Sequence, residues 1–396
     1  MALNLIADRI VKGKLYPAFA RHQAEPYTQS WREFEQHWPC TVPFRPQEYL
    51  EHNNIKINLL GLDSAWPADA FYPIGLGFFD FEIDYFELLP QRVFTELWHS
   101  HIRVLFYYHE GDNPERIKQR LDALVAQHQL PKHCYVFVSG NSSAGKVEDF
   151  VYFTDFELWY YQRNRNVPPL KIHDRPRSRD FTALVRLHKP WRAMAMADLY
   201  RLHILDNIYW SYCETVDPAK TDLNDSPIEV DSINKLRKET SKFLAYTPYE
   251  TDTLNNSERN NQSVTVEEHH ADSYCNIVFE THFDADQSGG TFLTEKTFKP
   301  IKHGQLFFIV GPAGSLQVLR DLGYRVFDGI LDNSYDLETN NTQRWIMLRD
   351  AIALARPQLP DLFACARADI MHNQQLFVDS KTNRLNILLE QINESY

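Results

Sequence analysis

The residues of this chain best suited to chemistry gather around one strand end. The apolar run Cys275-Asn-Ile-Val-Phe-Glu280 closes on a carboxylate, and after a glycine-containing loop comes Thr291-Phe-Leu-Thr-Glu-Lys-Thr-Phe-Lys-Pro-Ile301. The pattern predicts a buried strand, a loop and a helix start that carries Glu295 and Lys296 side by side. Free N–H groups and the positive end of the helix dipole make such a start an anion site. Lys296 adds a full charge, and Glu295 is an acceptor for a sugar diol. A carboxylate beside a phosphate-binding cation suits a nucleotide, whose ribose and diphosphate are close neighbours. Thr294 as a plain N-cap and Glu295 as a complement to the dipole explain the same residues without a ligand.

Phe279-Glu280, then Leu293-Thr-Glu-Lys-Thr-Phe298, Pro300, Gly304 and Leu306-Phe-Phe-Ile-Val-Gly311 resemble the donor-binding motif of alpha-1,3-fucosyltransferases, and in particular their bacterial and phage-borne relatives. Phe181-Thr-Ala-Leu-Val-Arg-Leu-His-Lys-Pro-Trp-Arg192, leading into Ala193-Met-Ala-Met-Ala-Asp-Leu-Tyr200, resembles the strand, arginine and helix that open the donor domain there. The likeness covers roughly residues 180–330. It implies an α/β fold of two Rossmann-like domains facing a cleft, the GT-B architecture. It also implies an inverting, metal-independent glycosyltransferase using a nucleotide-diphosphate sugar, with a GDP-sugar favoured and no cofactor. By resemblance Arg192 and Lys296 hold the diphosphate, Glu295 the ribose, and Glu280 sits near the donor sugar and the reacting centre. Phe292 stands where the family often has tyrosine and Thr281 where it has asparagine, so the sugar itself is open. Thr294 either bonds phosphate or caps the helix.

Sugar transfer needs fixed cations around a leaving diphosphate and a base for the acceptor hydroxyl. Glu110, which follows a dense strand, ranks first as base, ahead of Asp112, Asp80, Glu82 and Asp84. The aromatic run Phe78–Phe86 suits core packing or sugar stacking. A second glycine loop, Gly311-Pro-Ala-Gly-Ser315, either approaches the nucleotide or simply starts a helix through Gly314 with Ser315 as cap. His188 and Lys189 lie in the same opening loop as Arg192. No metal site is expected, since the acid pair Asp284-Ala-Asp286 lies outside the usual context.

The 396 residues suffice for two domains, and 43% hydrophobic with 24% charged residues is an ordinary globular composition. A net charge of −12 argues against a protein that grips nucleic acid by neutralising phosphates. The absence of a long apolar run, together with five scattered cysteines, leads to the expectation of a cytoplasmic chain with free thiols. The partners expected are a nucleotide sugar and a glycan or other hydroxyl acceptor. Rival readings are a DNA-modifying transferase acting on a hydroxylated base, and a non-catalytic sugar-binding protein of the same fold.

Strand and helix signals alternate. Strands are expected at 55–62, 101–108, 134–140, 181–187, 306–310 and 325–327. Helices are expected from Pro114, with Asn113 as cap and Ile117, Leu121 and Leu124 on one face, and at 191–205, 315–322, 341–356 and 372–394. The expected domains are 1–165 on the acceptor side, a linker at 166–180, a nucleotide-sugar domain at 181–365, and a C-terminal helix at 366–396 that crosses back to the first domain. The polar stretch 251–262 reads as a surface loop.

Overall fold

The computed structural model describes residues 2–11, 13–17, 41–172, 176–214, 217, 222–229, 236–249, 263–284 and 288–394. The polar stretch 251–262, Asp286 and Cys40 lie outside them. The chain forms two compact units. The first comprises Met1–Leu158, Gln287–Gly290 and Ser380–Tyr396; the second comprises Trp159–Asp286 and Thr291–Asp379.

The first unit is built on six parallel strands: β1 (Leu3–Ala7), β2 (Ile57–Gly61), β3 (Ala70–Leu76), β4 (Arg103–Tyr108), β5 (Tyr135–Ser139) and β6 (Phe150–Tyr152). Their order is β2-β1-β3-β4-β5-β6, and a two-residue strand, Thr41–Val42, pairs antiparallel with β3. Parallel neighbours require crossover connections. Helices α1 (Arg45–His52), α2 (Gln91–Trp98) and α3 (Pro114–Gln127) lie in these connections. The Asn113 side chain accepts from the backbone of Glu115 and Arg116, with Pro114 in the first turn, as its sequence signals predict. Ile117, Leu121 and Leu124 are buried. Strands β3, β4 and β5 are buried on both faces, which their near-continuous apolar sequences require. The aromatic run contributes to this core through Phe79, Tyr85 and Phe86. Its acids serve as local caps: Asp80 accepts from Glu82, and Asp84 from Phe86 and Glu87.

Helix α4 (Asp155–Arg163) begins in the first unit, and the boundary falls within it. The second unit has four parallel strands: β7 (Arg179–Val185), β8 (Tyr209–Tyr212), β9 (Ser273–Phe279) and β10 (Leu306–Val310), ordered β8-β7-β9-β10. Its helices are α5 (Pro190–Arg201), α6 (Leu236–Leu244), α7 (Glu267–Ala271), α8 (Glu295–His303), α9 (Ser315–Asp321), α10 (Asn341–Ala355), α11 (Leu359–Cys365) and α12 (Arg367–Asp379). Both units are thus Rossmann-like α/β folds, and both begin on an inner strand whose two neighbours are the next two strands of the unit. In such sheets the crevice lies at the carboxyl ends, where the order reverses. In the second unit that point is the β7–β9 pair.

Three expected elements differ. Helix 191–205 stops at Arg201 and gives way to a single tighter turn at Ile204–Asn207. Arg325–Phe327 is no strand; the Asn373 side-chain amide takes both the N–H and the C=O of Arg325, each at 2.8 Å. The long helix at 372–394 is two, α12 and α13 (Lys381–Glu394). They meet at Ser380, where Ser380 Oγ (3.2 Å), Lys381 Nζ (3.0 Å) and Arg384 Nε (3.1 Å) converge on the buried Glu157 carboxylate. The chain thereby returns its last helix to the first unit. The loop residues Ser288–Gly290 also belong there: Asn141 Nδ2 donates to the Ser288 carbonyl at 2.6 Å. A Cβ on Gly289 would lie 2.6 Å from Asn113, and one on Gly290 2.4 Å from Asn141, so only glycine fits.

Two outcomes follow. Glu157→Ala leaves Lys381 buried without its counter-charge and should cost about 3–5 kcal/mol in urea denaturation; a loss below about 1 kcal/mol would contradict the clamp. His270 and His303, stacked at 5.0 Å, are buried near the amino ends of β9 and β10. Burial pushes His270 down to about 3 and His303 well below its ordinary value. Both stay neutral when folded, whereas unfolded histidine binds a proton below about pH 6.5. Stability is therefore full above pH 6.5 and falls as pH drops below it, by up to about 1.4 kcal/mol per pH unit for each ring. His270→Gln should flatten that slope between pH 6.5 and 4.5 relative to wild type.

Candidate functional site

The site is assembled where β9 ends. Glu280 extends the β9–β10 ladder through its N–H to the Val310 carbonyl (3.0 Å), and its side chain is fully buried. An ionised carboxylate in such a place must be saturated with donors. Here Oε1 accepts from Thr294 N (3.0 Å) and Thr297 Oγ1 (2.6 Å), and Oε2 accepts from Thr294 Oγ1 (2.6 Å) and Thr281 N (3.2 Å). The carboxylate therefore locks the first turn of α8 onto the strand end, where the helix dipole favours a negative charge. Thr294 is the N-cap and also meets Lys296 N at 3.5 Å. The capping expectation for Thr294 is thus what its hydroxyl does.

Three cations meet on the dipeptide Glu280–Thr281. Arg192 NH2 donates to the Glu280 carbonyl at 2.5 Å, and its NH1 to the Leu187 carbonyl at 3.1 Å. Lys189 Nζ donates to the Thr281 carbonyl at 2.6 Å. Lys296 Nζ lies 3.3 Å from Thr281 Oγ1 and 2.9 Å from Thr294 Oγ1. Arg192 is buried, and that burial lowers its pKa to about 10, which still leaves it charged at neutral pH. The guanidinium fork is closed on two backbone carbonyls, since a desolvated cation takes the nearest acceptors. Arg192 consequently supplies fixed charge from beneath, and its Nε has no partner among the described residues. The Lys296 side chain is 31% exposed, which makes it the accessible cation of the pair.

Glu295 is nearly buried, with Oε1 3.6 Å from Lys296 Nζ, and its Oε2 has no hydrogen-bond partner among the described residues. One turn on, burial lowers Lys299 to about 8 while Glu295 opposes that shift. Phe292 is buried, its ring 6.1 Å from that of His282. The sequence-predicted group Arg192, Glu280, Thr294, Glu295 and Lys296 is therefore brought together in the second unit, with Lys189 beside it.

The second glycine loop is already satisfied from within. Gly314 adopts φ +82 and starts α9, but the cap is Asp336 instead of Ser315. Its carboxylate accepts from Leu316 N (3.0 Å) and Gln317 N (3.3 Å), and the Ser315 hydroxyl turns to the Pro312 carbonyl.

In the first unit Glu110 follows β4, its side chain 38% exposed. Its Oε1 lies 3.4 Å from Nε2 of His109, a buried residue that sequence reasoning missed. Arg45 NH2 is 3.1 Å from the same nitrogen, and Arg45 NH1 pairs with Asp155 at 2.8 Å. Tyr49 and Tyr107 donate to Asp155 Oδ1 at 2.9 and 2.5 Å. Burial and then Arg45 hold His109 well below its ordinary pKa, so it is neutral. The local sequence gave no signal for this network: Asp155 reads as a helix-start acid, and Arg45 lies far from it in the chain. Asp112, a lesser candidate, is engaged by the Tyr108 hydroxyl.

Among the described residues, His133, Glu148 and Asp149 form the group whose ligand atoms lie within 4.8 Å of one another. Lys118 Nζ stands 3.4 Å from Asp149 and 4.0 Å from Glu148, so those carboxylates already have a cation. Cys134, Cys275 and Cys365 are thiols. No helix among the described residues is long and apolar enough to cross a membrane.

No protein-family model and no curated protein matches this chain. Among solved structures it is similar to a mutant of T4 phage BGT in complex with UDP-glucose, at 9% identity, covering 95% of this chain and 98% of that one with a TM-score of 0.29. A likeness at that score carries no argument about the site.

Replacing Glu280 tests the lock directly. Glu280→Ala orphans the Thr294 and Thr297 donors and should cost about 3 kcal/mol in chemical denaturation. A variant as stable as wild type would remove the carboxylate from its organising role.

Proposed function

We propose that the chain is a glycosyltransferase of the two-Rossmann (GT-B) type, moving a sugar from a nucleoside-diphosphate donor to a hydroxyl acceptor. The observation that carries this reading is the convergence of Arg192, Lys189 and Lys296 on Glu280–Thr281, at the positive end of α8 and at the reversal point of the sheet. Fixed cations and helix N–H groups in such a place stabilise charge that develops on a leaving diphosphate. The fucosyltransferase-like motif points the same way and favours a GDP-sugar.

In this reading Lys296 contacts the diphosphate, Arg192 adds fixed charge below it, and Glu295 takes the ribose hydroxyls. Glu280 positions the Thr294–Lys296 turn. The acceptor oxygen forms its bond to the anomeric carbon on the face opposite the leaving group. The carbon–oxygen bond to the diphosphate breaks, and its electron pair departs with the phosphate. The hydroxyl proton passes to a general base, the role expected of Glu110. The configuration inverts, and protein cations take the place of a divalent ion.

Titration calorimetry with GDP and UDP should give saturable binding, weakened about 10- to 100-fold by Lys296→Ala, the range for one charged hydrogen bond. Transfer from GDP-sugars should survive EDTA. A wild-type chain that binds no nucleoside diphosphate would sink the proposal.

A further inference from the structure

The adjacent strands β7 and β8 end in residues that hold one imidazole. His188 Nδ1 lies 2.6 Å from the Tyr212 hydroxyl, and the His188 backbone N–H donates to Glu214 Oε2 at 2.5 Å. The Tyr212 oxygen also accepts the backbone N–H of Lys189, and burial raises the pKa of this phenol well above its ordinary value. A hydroxyl that keeps its proton while accepting from Lys189 has that proton to give to Nδ1. The neutral ring of His188 then carries its own proton on Nε2. Burial lowers the imidazolium pKa, and Arg192 adds to that effect against the opposition of Glu214. The charged groups that act on this ring are thus Arg192 on the positive side and Glu214 on the negative.

A neutral donor of fixed tautomer is an unusual member of a strand-end loop that carries Arg186 and Lys189 and leads into the helix bearing Arg192. We propose that His188 is a further donor-site residue, whose Nε2–H donates to a phosphate oxygen of the bound nucleoside diphosphate and is aimed by the Tyr212 hydroxyl. The inference rests on the diphosphate reading of the same strand ends. A hydrogen bond of this kind strengthens as negative charge builds on the leaving oxygen, because a donor to an ionised acceptor is stronger than one to a neutral group. It asks for no added positive charge in a site that already holds three cations.

Long-range proton–nitrogen spectra of the full chain, with GDP and then inorganic pyrophosphate added, test it. The free protein should show His188 as the Nε2–H tautomer, and the nucleotide should shift that proton downfield. His188→Ala should weaken GDP binding about tenfold, His188→Gln should restore most of it, and Tyr212→Phe should mix the tautomers while the fold is retained. If the backbone amide of Lys296 responds to GDP while the His188 ring does not, or if the ring is the Nδ1–H tautomer, this inference falls and the diphosphate reading stands. If neither responds to either ligand, both fall.

Discussion

The second unit depends on one buried negative charge. Glu280 sits buried at the end of an apolar strand, and four donors from a loop and a helix start saturate it. Each donor is thereby fixed: the N-cap threonine cannot turn away, and the helix cannot shift along its axis without orphaning a desolvated carboxylate. What stands above that carboxylate, Lys296 and the Thr281 hydroxyl, inherits its rigidity. Preorganisation of this kind spares a binding site the reorganisation that a mobile lysine would otherwise require.

Charge is arranged in layers at this end of the sheet. Glu280 lies deepest, Arg192 binds the backbone carbonyls around it, and Lys189 and Lys296 bracket the following residue. The carbonyl oxygens that accept from Arg192 NH2 and from Lys189 belong to the dipeptide at the strand terminus, so the backbone itself mediates between acid and cations. Burial, with Arg192 close by, favours the uncharged form of neighbouring His188. The first unit follows a related logic with different groups: Asp155 anchors Arg45, which in turn faces His109.

Much of this was legible in the sequence, and the reasons are physical. The β-α-β run from Arg103 to Ser139 announces itself through apolar density, an Asn-Pro helix start and a 3.6-residue period, all local properties. The Glu280, Thr294 and Lys296 grouping was also legible, since only residues 280–294 connect the strand end to the helix start. The direction of the Arg192 side chain was not, because it depends on which carbonyls the neighbouring strand presents. Strand β1 is short, and no turn signals set it off from Arg9–Val11, the strand that follows it. The break between α12 and α13 was hidden too: helical periodicity continues through Ser380, and its cause, Glu157, is 223 positions away. His109 was overlooked because the exposed acid beside it looked the better base, while its partners Arg45 and Asp155 come from separate connections.

The first unit is assembled from three separate stretches of chain, the last of which is the C-terminal helix carrying Lys381 and Arg384. During synthesis, then, Glu157 waits without its counter-charges until Lys381 and Arg384, 224 and 227 positions further on, have emerged. The second unit, contained between Trp159 and Asp379 apart from one short excursion, has all its strands available earlier. The order of emergence makes the amino-terminal unit the last to close, the reverse of the usual vectorial sequence.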